Sequence, residues 1–204
     1  MTHRYAELAF TPAVEAAQSH YGVRHENERL LASAGPNDRL GDRERAFVGH
    51  RDSFYLATVS ETGWPYVQHR GGPTGFLKVL DDRRLAFADF RGNKQYISLG
   101  NLANDDRASL FLMDYPRRLR LKILGRLQMT DTSDADADLV EQLRPYPYRA
   151  SMERVAIFTV AAFDWNCSQH ITPRFTEAHL REATASLHAR IAELEALLAT
   201  RSAP

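Results

Sequence analysis

Three short stretches carry the residue types that hold small anions and flat polar rings. The first is Phe87–Asn104, FADFRGNKQYISLGNLAN, which the pattern predicts as a strand end, an Arg91-Gly92 turn and a helix opening at Asn93. An asparagine there is a good N-cap, because its side-chain oxygen accepts an orphan first-turn N–H. Lys94 then falls in the first turn, where acidic residues are favoured, so a cation there is better satisfied by an added anion. Free helix N–H groups beside a lysine are what a phosphate needs. The second stretch is Gln68-His69-Arg70-Gly71-Gly72. It puts an arginine fork, suited to bidentate phosphate contact, at a strand end and then removes side chains so that backbone can approach a ligand. The third is Asp164-Trp165-Asn166-Cys167-Ser168-Gln169-His170. An indole with amide and imidazole neighbours suits a heteroaromatic ring with hydrogen-bonding edges.

Each stretch also admits a purely structural role. Lys94 can be a solvated residue on an ordinary strand–turn–helix, Gly71–Gly75 a bend, and Trp165 a plug at the end of a sheet. A fourth feature, the Arg118/Arg120/Lys122 stripe, is either a solvated strand face or an anion site. Cys167 with His170 makes a poor nucleophilic dyad, since nothing nearby resembles an oxyanion hole. The histidines are scattered without metal-ligand spacing, and Gly71–Gly75 is not a Walker loop because no Gly-Lys-Ser/Thr follows. No metal is expected.

The elements that must position these residues follow from periodicity. Thr11-Pro12 starts a helix that Gly22 stops. Val23–Leu40 reads as polar and irregular, and Asp42–Val48 as a short helix with Ala46, Phe47 and Val48 turned inward. Strands are expected at Ser53–Ser60, Tyr66–Arg70, Phe76–Leu80, Leu85–Phe90, Ala108–Met113, Leu119–Met129 and Val155–Phe163. Along Leu119–Met129, two-residue alternation puts Leu119, Leu121 and Ile123 on one face and Arg118, Arg120 and Lys122 on the other. The central helix is expected over Asn93–Ala103 and another over Ser133–Arg144. The tail, Thr176–Thr200, is helical, with Leu180, Leu187 and Leu194 alternating with Thr184, Ile191 and Leu198 in heptad spacing. Short strands with sparse helices between them point to an antiparallel barrel.

With Lys+Arg 26 against Asp+Glu 26, the chain has zero formal net charge. Neither a nucleic-acid field nor a membrane-binding polybasic run is present. A single cysteine rules out an intrachain disulfide framework. The start lacks a signal-peptide pattern and no apolar run reaches membrane-span length, so a soluble cytoplasmic protein is expected.

The segments HRGGPTGFLKVLD (His69–Asp81), LAFADFRGNKQYISLGNL (Leu85–Leu102) and DWNCSQHITPRF (Asp164–Phe175) resemble the FMN-binding branch of the pyridoxamine 5′-phosphate oxidase-like split-barrel family. The resemblance runs from Phe54 to about Met129 and is closed by Trp165–His170. It implies a mainly β protein: a six-stranded antiparallel split barrel with flanking helices and a C-terminal helix. The expected domains are an N-terminal helical extension (1–50), the barrel (51–175) and the C-terminal helix (176–204). The family also implies a homodimer with FMN between the subunits. Carried over, Gln68, His69, Arg70 and Gly71 border the ring and ribityl phosphate, and Ala88 and Asp89 touch the ribityl chain. Asn93, Lys94 and Gln95 hold the phosphate, Arg120 is a polar residue on the long strand, and Trp165, Asn166, Gln169 and His170 close over the flavin. The phosphate turn departs from the oxidase: Gly92-Asn93-Lys94 stands where the oxidase has Ser-Arg-Lys, so one cation is missing. The chain also continues past the flavin-closing segment, where the oxidase ends.

These expectations make the protein an FMN-dependent oxidoreductase acting on a small molecule, distinct from the oxidase proper. His69 and His170 are candidate proton donors and no catalytic residue is assigned. A flavin carrier or redox sensor without turnover, or a haem- or deazaflavin-binding barrel, remains open on the same residues.

Overall fold

The computed structural model describes residues 3–33, 35–166 and 168–201. The chain divides into two compact units, residues 1–113 with 119–167, and residues 114–118 with 168–204.

The larger unit begins with helices α1 (Arg4–Ala9), α2 (Pro12–His20), α3 (Arg24–Ser33) and α4 (Asp42–Gly49). Thr11 caps α2 through its hydroxyl, which accepts from Val14 N–H, and the chain leaves through Gly22 at φ 72°. Helix α3 corrects the expectation of an irregular Val23–Leu40. Its sequence, RHENERLLAS, has no apolar period to announce a helix; Arg24 instead anchors it by bonding Gln18, Glu15 and Glu28. In α4, Phe47 and Val48 are buried as expected while Ala46 is exposed.

The strands are β1 (Ser53–Val59), β2 (Pro65–Gly71), β3 (Lys78–Val79), β4 (Arg84–Phe90), β5 (Arg107–Asp114), β6 (Leu119–Asp131) and β7 (Met152–Asn166), with α5 (Ile97–Asn104) after β4 and α6 (Ala137–Leu143) after β6. They form a seven-stranded sheet in the order β2-β1-β5-β6-β7-β4-β3. The architecture is mainly β and antiparallel with flanking helices, as expected. It has one strand more than six because the Phe76–Leu80 segment contributes the two-residue β3, while Phe76 and Leu77 turn into the core. Alternation is clearest in β1 and β5, whose inward residues Phe54, Leu56, Leu110 and Leu112 are fully or almost fully buried. They pack with Phe87, Leu121, Ile123, Leu127 and Phe158 in the main core, which α4 covers with Phe47 and Val48.

Strand β4 is buried on both faces. Leu85 and Phe87 enter the main core, and Ala86 and Ala88 enter a second cluster completed by Leu143 and Val155, with Leu139 and Val140 of α6 against it. The long β6–β7 pair shifts register between Leu124 and Gly125. A Cβ at Gly125 would lie 2.2 Å from the Thr159 carbonyl oxygen, so only glycine fits this bulge.

In the smaller unit, helix α7 (Glu177–Arg201) is capped by Thr176, whose Oγ1 accepts from His179 N–H at 3.3 Å. The Arg174 guanidinium lies over the Tyr115 ring, 4.9 Å from its centroid. No described helix is long and apolar enough to cross a membrane.

Candidate functional site

Strand β2 lies at the sheet edge and alternates, so Tyr66, Gln68 and Arg70 are half-buried while Val67 and His69 are exposed on its other face. Arg70 Nη1 donates to Asp89 Oδ1 at 2.5 Å, and Asp89, only 3% exposed, sits at the end of β4. The β4–β7 register sets Asp89 directly opposite Arg154, and Arg154 Nε donates to Asp89 Oδ2 at 2.9 Å. Arg154 also bonds Glu153 at 3.0 Å, and Glu153 takes a 2.8 Å bond from Arg91. Arginines thus alternate with carboxylates along a chain that ends in cations on both sides.

Burial pulls the Arg154 pKa down, but the Asp89 hydrogen bond and charge, followed by Glu153, more than restore it, and it stands above its ordinary value. The Arg91 hydrogen bond holds the Glu153 carboxyl below its ordinary value against the opposing effect of burial. One buried donor in this network stays unused: Arg70 Nε has no hydrogen-bond partner among the described residues. Such a group costs about 1–3 kcal/mol unless an acceptor meets it.

The loop after β4 forms the rim. Helix α5 begins at Ile97, four residues later than the expected opening at Asn93, which corrects both the Asn93 cap and the first-turn placement of Lys94. Asn93 Oδ1 accepts instead from Gln95 N–H at 3.1 Å, closing a local turn that competes with the helix. Lys94 and Tyr96 both take left-handed backbone, at φ 60° and 52°. Non-glycine residues pay for that conformation, and two so close together mark a loop held in a set shape. Ser98 Oγ and Tyr66 OH both donate to Gln68 Oε1, at 3.5 and 3.1 Å, tying the head of α5 to β2. Asn101 Nδ2 bonds Thr58 Oγ1 at 3.0 Å in the interior and fixes α5 against β1.

Between these elements lies a half-open cavity of about 40 Å³ lined by Gln68, Arg70, Asp89, Asn93, Lys94, Gln95, Tyr96, Glu153 and Arg154, among others. At ~10–15 Å³ per water this is room for a compact polar group and far too little for a tricyclic ring. Its donor set fits a phosphate.

The cavity therefore brings together Gln68, Arg70, Asp89, Asn93, Lys94 and Gln95. Other candidates lie elsewhere. His69 meets the Tyr55 ring at 5.7 Å on the exposed face of β1–β2. Ala88 is part of the core cluster under α6. A Cβ at Gly71 would stand 3.1 Å from the His69 ring, and one at Gly72 2.8 Å from Phe76, so these glycines make room for the chain's own side chains. Arg120 pairs across β6–β7 with Asn166, and its Nε is buried without a hydrogen-bond partner. Lys122 bonds Asp164 at 2.8 Å, and Arg118, at φ 54°, lies in the turn before β6, so the expected basic stripe is not a stripe. Trp165 Nε1 donates to the buried Glu44 at 2.7 Å, and its ring meets Phe47 edge-on at 4.8 Å with Arg43 above it at 4.0 Å. The Asn166 side chain and Cys167 lie outside the described residues, so the Cys167/His170 pairing has no geometry. Gln169 and His170 belong to the smaller unit, where both are exposed.

The sequence pattern missed Arg154 and Glu153. The available signal was a basic residue heading an apolar strand, MERVAIFTV, but only the register reveals that it faces Asp89.

A family model described as pyridoxamine 5′-phosphate oxidase matches residues 40–166, more than half of the chain. The chain belongs to that family. The matched span runs from Leu40, two residues before α4, to the end of β7 and so includes every wall of the cavity. Solved structures with a similar fold include HupZ of Group A Streptococcus, at 14% identity, covering 67% of this chain and 100% of that one, with a TM-score of 0.49. A putative pyridoxamine 5′-phosphate oxidase from Lactobacillus delbrueckii is 19% identical, covering 62% and 94%, with a TM-score of 0.47. An FMN-binding protein from Syntrophomonas wolfei is 13% identical, covering 76% and 97%, with a TM-score of 0.46. Likenesses of that degree say nothing about a ligand. Among curated proteins none matches the chain.

Proposed function

We propose that this family member is an FMN-binding flavoprotein, with the flavin's phosphate in the cavity between β2, β4, β7 and the 91–96 loop. The observation that carries the reading is the unpartnered, buried Arg70 Nε beside Arg154 and Lys94 in a cavity of phosphate size. FMN, when bound, supplies two-electron redox chemistry that no side chain offers. Arg70 and Lys94 bind the phosphate oxygens, and Arg154 adds the cation that the Gly92-Asn93-Lys94 turn lacks. Gln68 spends its Oε1 on Tyr66 and Ser98, which leaves its amide N–H groups to orient the ligand.

The rest of the flavin lies outside a cavity this small, in keeping with a site completed by a second copy. The outer face of β1–β2 supports that homodimer: Tyr55, Val59 and Val67 are exposed there, Val67 by 59%, and Trp64, in the turn that precedes β2, is exposed by 75%. The reaction is oxidation or reduction of a small molecule in the cytoplasm. A second reading, a flavin carrier or redox sensor, draws on Asp89 and Glu153: both are ion-paired, so the cavity presents no free carboxylate for proton transfer. The rate at which electron donors bleach the bound flavin separates the two.

The test is a fluorescence titration with FMN and with riboflavin, which lacks the phosphate. FMN binds about 10–100-fold more tightly, the value of one or two charged hydrogen bonds. Equal affinities, or uptake of neither, overturn the reading.

A further inference from the structure

Helix α7 carries an apolar face that its own unit leaves exposed. Leu180, Leu187, Ile191, Leu194 and Leu198 are all exposed, Leu187 by 62% and Leu198 by 63%. In heptad terms Leu180, Leu187 and Leu194 occupy d, and Thr184, Ile191 and Leu198 occupy a. Most helical stability in proteins comes from packing an apolar face, and a helix that bares a leucine seam is better satisfied by a partner helix.

We infer that α7 pairs with α7 of a second copy as a parallel, in-register two-stranded coiled coil. The seam itself favours this state: β-branched Ile191 at a among leucines at d, Leu180, Leu187 and Leu194, is the combination that selects two parallel strands, and Thr184 at the preceding a is β-branched as well. Charge selects the same orientation. In a parallel pair a g residue faces the following e residue of the other strand, which sets Arg190 against Glu195 of the partner twice by symmetry. In the antiparallel pairing that would match the same a and d layers, Glu195 would meet Arg181 of the partner, also twice, and the difference is that Arg190 would then meet its own copy. Among the described residues Arg190 is held by a single exposed bond, to Glu193 at 2.6 Å, so it is available for exchange. The inference draws its second copy from the proposed homodimer and makes no use of the flavin. A homodimer would raise the effective concentration of one α7 for the other, which offsets the weakness of so short a coil.

The test uses the full chain with its sole cysteine replaced, Cys167→Ser, and Leu187→Cys or Ala189→Cys added. Under mild oxidation Leu187→Cys forms an intermolecular disulfide in most chains, while Ala189→Cys, on the far side of the coil, stays largely unlinked. Adding Glu195→Arg to Leu187→Cys lowers the yield, and Arg190→Glu with Glu195→Arg restores it. Equal linkage at 187 and 189 overturns the inference. So does preferential linkage of Leu187→Cys chains to Ile191→Cys chains, which reports an antiparallel pair. A dimer by sedimentation with no 187 linkage overturns the coil and leaves the homodimer standing; a monomer overturns both. Flavin uptake, measured on the same samples, reports on the cavity independently.

Discussion

At the scale of single residues the account turns on Asp89. It is buried, bonded on one oxygen to Arg70 and on the other to Arg154, and it competes with any anion for those guanidinium groups. Replacing Asp89 by Asn removes the counter-charge of Arg70 and leaves Arg154 to Glu153 and the more distant Asp131, in a confined space where a broken buried pair costs about 3 kcal/mol. The expected outcome is a lower denaturation midpoint for Asp89→Asn, with added inorganic phosphate recovering more stability in the variant than in the wild type. A midpoint that responds to phosphate equally in both proteins would show that the cavity is not the anion site. The sequence pattern drew attention to Arg70 and Lys94, which do line one cavity, although the local reasons it offered, a ligand-facing Gly71 and an Asn93 helix cap, are not those the structure shows. Arg154 was not, because its role depends on a cross-strand register that no local spacing encodes.

Secondary structure was legible to the degree that burial imposes a period. The alternation in β1, β5 and β6 follows directly from one buried face, and Thr11-Pro12 marks the start of α2 by capping chemistry. The opening of α5 was misplaced because Asn93 has two uses for its side chain. It can cap a helix or close a turn on Gln95, and the left-handed Lys94 and Tyr96 commit the loop to the turn. That later opening moves Lys94 out of a helix and onto the cavity rim. A second position shows a tight dependence on backbone space. At Gly125→Ala the new methyl would meet the Thr159 carbonyl and the Phe158 ring inside van der Waals distance. The β6–β7 bulge must then move, and the variant is expected to lose about 3 kcal/mol in urea melts, at the upper end of overpacking costs. A loss within ~0.5 kcal/mol, typical of a surface site, would mean that the bulge is not fixed as described.

For the whole molecule, zero net charge conceals a local concentration of arginine, so bulk composition gave no hint of the proposed anion site. The cavity lies within the span that the family model matches, and the exposed Tyr55, Val59 and Val67 face is where the proposed second copy would cover the sheet. Cavity and face meet along β2, whose alternate residues serve one and then the other. Flavin binding and dimerisation are therefore expected to be linked. The most direct measurement is sedimentation velocity of the FMN-loaded protein, followed at the visible flavin band and at the protein band together. The account predicts that both bands move as one boundary at the mass of a dimer. Flavin absorbance left behind with free FMN while the protein sediments colourless would contradict it.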